Sequence, residues 1–254
     1  MSCAAGPVLD DLGAAAAAAL LDVHTDRDHN RSVLTLAGDE VETSARRVAE
    51  VAVAAIDLRA HTGVHPRFGA IDVVPFVALD GSEPADAIAA RNRFAAWAGD
   101  TLGLPCFLYG PERSLPEVRR HAFVELEPYT GPPVPHPTAG ACAVGARGVL
   151  VAYNLWLAEG DVALARQIAA RLRGPAVRAL GLQVGAGVQV SLNLLEPGSV
   201  GPGAAYDAVA ALAPIARAEL VGLVPRSVLV VEPPARWHEL DLSEARTIEA
   251  RLGV

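Results

Sequence analysis

The chain has 254 residues, of which 52% are hydrophobic and 20% are charged, and its formal net charge is −8. This composition is too apolar for a disordered protein, and the acidic balance without a basic run excludes nucleic acid as the expected partner. All 21 basic residues are arginine, which excludes catalysis through a lysine Schiff base and leaves arginine to hold anions.

Three cysteines, Cys3, Cys106 and Cys142, lie far apart and form neither a disulfide framework nor a CxxC pair. We therefore expect free, buried thiols and a reducing compartment. The longest apolar run, Leu12–Leu21, is about half as long as a membrane-spanning helix. Because the N-terminus also lacks the basic region of a signal peptide, we expect a cytoplasmic protein without a membrane partner.

The first half of the chain alternates helix and strand patterns, beginning with a helix that leads into a strand at Leu12–Leu21. The other elements predicted for this half are strands at Asn30–Ala37, Ile71–Leu79 and Pro105–Tyr109, and helices at Glu40–Ile56 and Glu83–Leu102. A Pro-rich segment, Glu127–Gly140, follows with five prolines and two glycines, which exclude regular structure over most of its length. It predicts a division into domains at residues 1–138 and 139–254.

The second half repeats the alternation with clearer boundaries. Its predicted elements are strands at Gly148–Leu157, Val177–Val184, Val188–Leu195 and Leu220–Val224, and helices at Asp161–Leu172, Ala204–Arg217 and Ser243–Leu252. This is the β-α-β-β-α-β order of a split βαβ unit. The first half fits that order less well. We expect an α/β (α+β) protein of two ferredoxin-like subdomains, each with helices on one face of its sheet, and with sheets facing each other across a cleft or tunnel.

Polar residues concentrate in two segments that the pattern places in loops, Asp22–Arg31 and Asp57–Asp72. Such density beside apolar strands is typical of a functional site. In the second loop His65 is followed by Pro66 and Arg67, while Gly63 allows close backbone approach. A histidine beside an arginine in a rigid loop suits an acid/base group next to an anion anchor. The alternative is that each histidine caps a loop and bonds to backbone.

A metal site is a second alternative for the same loops, using His24, His29, His61 and His65 with nearby aspartates. The spacing is not that of a helical zinc motif. Asn154 and Asn193 fall inside predicted strands, where each is either a satisfied buried amide or a ligand-binding group. Gly140–Gly148 lacks the Lys-Ser/Thr of a phosphate loop, and Cys142 has no nucleophile motif around it.

Five segments resemble the formiminotransferase family, in order and at plausible spacing. They are LLDVHTDRDHNRSVLTLAG, IDLRAHTGVHPRFGAIDVVPFVAL, GPPVPHPTAGACAVGARGVLVAYNLWL, VQVSLNLLE and ELVGLVP, which together run from Leu20 to Val224. The resemblance implies a homodimeric transferase that moves a formimino group from N-formiminoglutamate to N5 of tetrahydrofolate, its co-substrate. It also implies two α/β subdomains whose sheets form a folate tunnel, and no metal.

The resemblance carries the family's catalytic histidine onto His65 and a second histidine onto His61. The substrate- and folate-binding residues that we take from it and from the polar loops are Asp22, His24, Asn30, Arg31, His61, Gly63, Arg67, Asp72, Gly131, Pro132, Pro135, His136, Pro137, Thr138, Ala139 and Gly140. Asp22 or Asp72 would hold the cationic formimino group, and Arg31 and Arg67 would receive glutamate carboxylates.

The sequence departs from the family pattern at three places. Val64 stands where animal-type members have Glu, and His24 stands where they have an acidic residue. The family's usual N-terminal strand, with its PNFSEG-like motif, is not recognisable in residues 1–19, and we expect no cyclodeaminase domain. These departures leave open a non-catalytic folate-binding or regulatory paralogue, or a transferase that uses another one-carbon donor.

Overall fold

The computed structural model describes residues 1–2, 6–27, 30–62 and 67–254. The chain forms two compact units, Met1–Arg147 and Gly148–Val254. Both units combine helices with β-sheet, so the predicted α+β class with two sheet-bearing subdomains is confirmed. The units divide beyond the Pro-rich segment because the strand Cys142–Arg147 pairs with strands of the first unit.

The first unit contains four helices and five strands among its described residues. They are α1 (Pro7–Ala16), β1 (Leu20–Asp26), β2 (Arg31–Leu36), α2 (Val41–Ala55), β3 (Asp72–Val77), α3 (Pro84–Leu102), β4 (Cys106–Tyr109), α4 (Leu115–His121) and β5 (Cys142–Arg147). β1 and β2 form an antiparallel hairpin. β3 and β4 flank β5, and all three run parallel, so this unit does not have the βαββαβ sheet of the second one.

Local sequence defines both ends of α3, the longest helix of the first unit. Pro84 lies in the first turn, and Glu83 and Asp86 form a capping box. Gly103 ends the helix in the left-handed region at φ 60°, where glycine has no steric penalty. The side chain of Phe94 is fully buried and packs in the core that α2 and α3 form against the parallel sheet.

The parallel sheet is covered on both faces, which differs from the prediction of helices on one face. Cys106 and Cys142 point into the core on the side of α2 and α3, where both are free, buried thiols as expected. Phe107 and Ala143 alternate with them and pack on the other face, against Val118 of α4. The sequence of α4 is too short and too charged to have signalled this second layer.

The first two residues join the hairpin to the start of β3. The Met1 amine donates to the Ser32 carbonyl at 3.0 Å, and the Ser32 amide donates back to Met1 at 2.9 Å. Ser2 donates from its amide to Ala70 at 2.8 Å and from its hydroxyl to Gly69 at 2.8 Å. The amino terminus therefore fixes the hairpin beside the segment that enters β3.

The second unit has the predicted βαββαβ order. Its elements are β6 (Val151–Leu157), α5 (Val162–Leu172), β7 (Val177–Val184), β8 (Gly187–Leu194), α6 (Pro202–Ala210), β9 (Ile215–Val221), α7 (Arg226–Leu229) and α8 (Ile248–Leu252). The strands are antiparallel in the order β7-β8-β6-β9. Asp161 caps α5 by accepting from the Leu164 amide at 2.9 Å, as predicted.

Several predicted boundaries are wrong, among them that of the strand expected at Leu220–Val224, which begins at Ile215. The helix expected at Ala204–Arg217 ends at Ala210, because Pro214 interrupts it and the chain enters β9. The last helix begins at Ile248, where the Thr247 hydroxyl accepts from the Ala250 amide, and residues before it form a separate 3-10 turn.

The loop expected at Asp22–Arg31 is also shorter than predicted. Residues up to Asp26 belong to β1 and pair with β2. No helix of the described residues is long and apolar enough to cross a membrane.

Close packing of α5 on β7 makes Gly181 a sensitive position. A Cβ at Gly181 would overlap the backbone of Ala165 and Arg166 in α5. We expect Gly181→Ala to lower the free energy of unfolding by about 1–3 kcal/mol, as overpacked cores do. Gly174→Ala is the matched control, since nothing lies within 4 Å of its added carbon. Urea unfolding of both variants measures the difference, and equal stabilities would contradict the packing argument.

Candidate functional site

The carboxylate of Asp72 lies at the centre of the candidate site in the first unit. Asp72 begins β3 and has φ 65°, a left-handed conformation that aspartate tolerates better than most residues. One carboxylate oxygen accepts from the Phe68 amide at 2.6 Å, and the other accepts from the Arg119 guanidinium at 2.7 Å. We call the loop predicted at Asp57–Asp72 the histidine loop. The first bond closes its C-terminal end, and the second connects that end to α4.

Three arginines lie around this carboxylate, and we call Arg31, Arg67 and Arg119 the arginine cluster. Burial lowers the pKa of Arg31, Asp26 and Asp72 oppose that shift, and Arg119 and Arg67 add to it. Arg31 therefore lies close enough to Asp72, Arg119 and Arg67 for their charges to act on it. With three cations and two carboxylates, the cluster has a positive balance and suits an anionic ligand.

Asn30 connects the hairpin to both flanks of the histidine loop. It lies in the turn between β1 and β2 at φ 47°, and its side-chain amide donates to the Thr62 carbonyl at 2.8 Å. The Arg67 guanidinium reaches the Asn30 carbonyl at 3.4 Å. Gly63 and His65 fall between Thr62 and Arg67 in the sequence and are outside the described residues. His29 is outside the described residues as well.

His61 lies at the start of the same loop, just after a 3-10 turn capped by Asp57. Arg59 holds the pKa of Asp57 at about 2, so this carboxylate is ionised and already engaged. Burial lowers the pKa of His61, and the positive charge of Arg67 lowers it further. Since both imidazole nitrogens are buried, His61 is neutral at pH 7 and does not add a charge to the cluster.

Asp22 and His24 lie on β1 rather than in a loop. They share one face of the hairpin with Asp26, whose cross-strand partner is Arg31. That face therefore leads toward the arginine cluster. No direct bond from Asp22 to the cluster is seen among the described residues, so the structure brings Asn30, Arg31, His61, Arg67 and Asp72 together and leaves Asp22 and His24 further along the strand.

The segment Gly131–Gly140, which contains the predicted folate-binding residues, divides into two parts. Residues 131–135 are exposed, whereas His136 and Gly140 close a tight turn through two backbone bonds of 2.7 and 3.0 Å. Thr138 accepts from the Leu58 amide at 2.9 Å, and Ala139 accepts from the Ala70 amide at 2.9 Å. The turn thus contacts both ends of the histidine loop.

The imidazole of His136 has a defined tautomer. Its Nδ1 accepts from the amides of Ala139 at 3.0 Å and Thr138 at 3.3 Å. Because Nδ1 accepts, the ring N–H lies on Nε2, where it can serve as a donor.

Nothing in the sequence pointed to Arg119, because its neighbours Val118 and Arg120 mark α4 only as a short amphipathic helix. A cavity of about 310 Å³ lies elsewhere in this unit and contains none of the predicted residues. It is lined by Phe107, Leu108, Glu112, Arg113, Leu126, Glu127 and Tyr129. Within the described part of the chain, no group of three or more His, Cys, Asp or Glu is placed to hold a metal ion.

Two substitutions of Asp72 separate its charge from its shape. Asp72→Asn keeps an acceptor for the Phe68 amide and tolerates φ 65°, so we expect a loss of about 1 kcal/mol in unfolding free energy. Asp72→Ala also strains the backbone and leaves that amide unpaired, and we expect a loss of about 2–3 kcal/mol. Thermal unfolding, with exposed Asp80→Asn as control, measures both, and equal losses would contradict this role.

Comparison with known proteins finds relatives that cover most of the chain. Residues 7–147, more than half of the chain, match the formiminotransferase domain, N-terminal subdomain. The chain is 33% identical to a glutamate formimidoyltransferase of Thermoplasma acidophilum, over 83% of this chain and 80% of that one. It is 36% identical to a glutamate formimidoyltransferase of Streptococcus pyogenes serotype M1, over 61% of this chain and 58% of that one.

A third relative is a larger protein. The chain is 32% identical to the formimidoyltransferase-cyclodeaminase of Gallus gallus, over 83% of this chain, and it spans 45% of that protein. It spans less than two thirds of the streptococcal relative as well. The matched family model and the archaeal relative together cover both compact units. The chain belongs to the formiminotransferase family.

Proposed function

We propose that the protein is a glutamate formimidoyltransferase, which moves the formimino group of N-formimino-L-glutamate to N5 of tetrahydrofolate. The observation that carries the proposal is the arginine cluster around Asp72, built at the flanks of the loop that contains His65. Relatives named for this reaction support the reaction type. The protein would act in the cytoplasm, in one-carbon metabolism and histidine breakdown, and as a homodimer.

The charges of the cluster fit both substrates. Formiminoglutamate and the tail of the folate each carry glutamate carboxylates, which planar guanidinium groups bind through two hydrogen bonds. Arg31 is partly buried, so its attraction for an anion is screened less than that of a fully exposed arginine. The turn at His136–Gly140 contacts both ends of the loop, which supports the role in folate binding that we assign to this segment.

The reaction needs one proton removed and one supplied. N5 of the folate attacks the amidine carbon and gives a tetrahedral intermediate, and a base takes the N5 proton. The carbon–nitrogen bond to glutamate then breaks, and that nitrogen receives a proton. A histidine that titrates near neutrality can perform both transfers in turn, which is the role we assign to His65. Positioning of the two substrates supplies much of the remaining rate enhancement.

The contacts of Asp72 bear on which carboxylate holds the formimino cation. Both of its oxygens are engaged, one with Phe68 and one with Arg119. This favours Asp22 for the cation and a positioning role for Asp72. His24 follows on the same face of β1, where a neutral imidazole could accept a hydrogen bond from the amidinium.

The central test is a transfer assay with formiminoglutamate and tetrahydrofolate, in which mass spectrometry follows the folate products. We expect the wild type to form 5-formiminotetrahydrofolate and His65→Ala to lose about a hundredfold or more of kcat. Folate affinity, measured by calorimetry, should change little. Exposed His238→Ala is the control. Full turnover in His65→Ala would refute its assignment, and folate binding without turnover in the wild type would identify a binding paralogue.

Arg119 offers a test of the cluster itself. Arg119→Gln removes a cation and leaves Asp72 without its ion pair, so we expect KM for the anionic substrates to rise about tenfold. The double variant Arg119→Gln/Asp72→Asn restores the net charge and should recover most of that loss. Arg120→Gln, on the neighbouring exposed residue, should leave KM unchanged. The same KM in all three variants would contradict the electrostatic argument.

A further inference from the structure

The outer edge of β4 carries a backbone N–H and C=O that no other strand pairs. β4 is an edge strand of its three-stranded sheet, so one of its two edges meets β5 and the other is free. On the free edge, the Cys106 amide donates to the Thr130 carbonyl at 2.9 Å, and the Cys106 carbonyl accepts from the Tyr129 amide at 2.8 Å. Because backbone groups alternate in direction along a strand, the N–H and C=O of Leu108 lie on this same edge.

The Leu108 amide has no hydrogen-bond partner within the described part of the chain, although the residue is only 6% exposed. The Arg113 guanidinium reaches the Leu108 carbonyl at a long 3.4 Å. The next amide on this edge, that of Gly110, is paired again and donates to the Arg113 carbonyl at 2.9 Å. Proteins pair nearly all of their buried amides, so the Leu108 N–H marks a place for an acceptor. The unpaired stretch is one residue long, which is too short for an added peptide strand.

The cavity of about 310 Å³ in the first unit lies at this point of the edge. Its lining includes Leu108 together with Tyr129 and Arg113, which flank Leu108 along the edge. Phe107 and Leu126 supply apolar surface. Sites for small molecules start at about 300 Å³, so this cavity suits a ligand of roughly one aromatic ring with a short substituent.

Arg113 gives this end of the cavity a positive charge. It is half-buried and forms no ion pair with any residue that the structure describes. Of the two carboxylates in the lining, Glu112 is occupied by two bonds of 2.7 Å from the buried Arg91. Glu127 is exposed, so water screens its charge. The Leu108 amide and the Arg113 guanidinium therefore form a pair of donors for an anion.

Other ligand classes match these groups less well. A water molecule satisfies the Leu108 N–H but leaves Arg113 without a counter-charge. A neutral amide matches the N–H and C=O of Leu108 but not the guanidinium, and a cation is repelled by Arg113. A carboxylate accepts from both donors at once, and an apolar body attached to it covers the surface of Leu126 and Tyr129.

We propose that this cavity binds a small monocarboxylic acid with an aromatic or branched apolar body, whose carboxylate accepts from the Leu108 amide and the Arg113 guanidinium. N-Formiminoglutamate does not fit this description, because it has two carboxylates, a cationic group and no apolar body. The cavity shares no residue with the arginine cluster. The inference is therefore independent of the proposed transfer reaction and adds a second binding site.

Phenylacetate and phenylacetamide test the site because they differ only in the carboxylate. We expect calorimetry to give a Kd of about 0.1–1 mM for phenylacetate and the wild type, as small ligands allow. Arg113→Gln should weaken phenylacetate binding about tenfold, since it removes a charged donor. Phenylacetamide should bind more weakly and equally to both proteins. Arg120→Gln, at an exposed residue of α4, should bind phenylacetate as the wild type does.

The Leu108 amide gives a direct second readout. In amide-correlated NMR spectra its proton should move downfield as phenylacetate is added, because it gains an ionised acceptor. Phenylacetamide should move it less. Tyr129→Ala keeps the backbone bond to Cys106 and removes the ring, so it should weaken both ligands several-fold.

Three results would overturn the proposal. The first is equal affinity of the wild type and Arg113→Gln for phenylacetate. The second is phenylacetate binding that leaves the Leu108 amide unmoved, or no binding up to about 10 mM. The third is tighter binding of phenylethylamine than of phenylacetate, which would assign the cavity to cations through Glu127.

Discussion

The bond from the Phe68 amide to Asp72 is the constraint on which the rest of the first unit's site depends. It holds Asp72 at a positive φ, where its second oxygen meets Arg119 of α4. Because this bond closes the end of the histidine loop beside Arg67, it helps to hold Arg67 near Asn30. A left-handed residue other than glycine costs free energy, and here the ion pair and the amide bond offset that cost.

A second constraint is that Gly69 and Gly140 carry no side chains where the loop meets the turn before β5. A Cβ at Gly69 would overlap the carbonyl of Ala141, and one at Gly140 would press on the carbonyl of Phe68. The turn before β5 can therefore lie directly against the loop, through the bonds of Ala70 to Ala139 and of Ala141 to Phe68. This is why a Pro-rich segment far along the chain reaches the same site as the histidine loop.

Periodicity predicted most of the elements because their hydrophobic patterns are strong and their caps are local. The helix α3 and the strands β7 and β8 lie close to their predicted ranges. What could not be predicted depends on pairing between distant residues. β5 is the centre of a parallel sheet, yet its sequence, CAVGAR, consists mostly of small residues and includes a glycine. Its identity as a strand follows from partners on both sides rather than from its own composition.

The same distinction applies to the candidate sites. Asn30, Arg31 and Arg67 were marked by unusual polar density, and the structure brings them together. Arg119 had no such mark, because a single arginine on a short helix becomes significant only when the fold places a carboxylate beside it.

Glu219 of β9 is a further case, because it lies outside the strand predicted at Leu220–Val224 and nothing in the sequence indicated that the Trp156 indole and the Asn154 amide would donate to its carboxylate. Local sequence assigns a side chain to a face, and tertiary pairing decides what that face can bind.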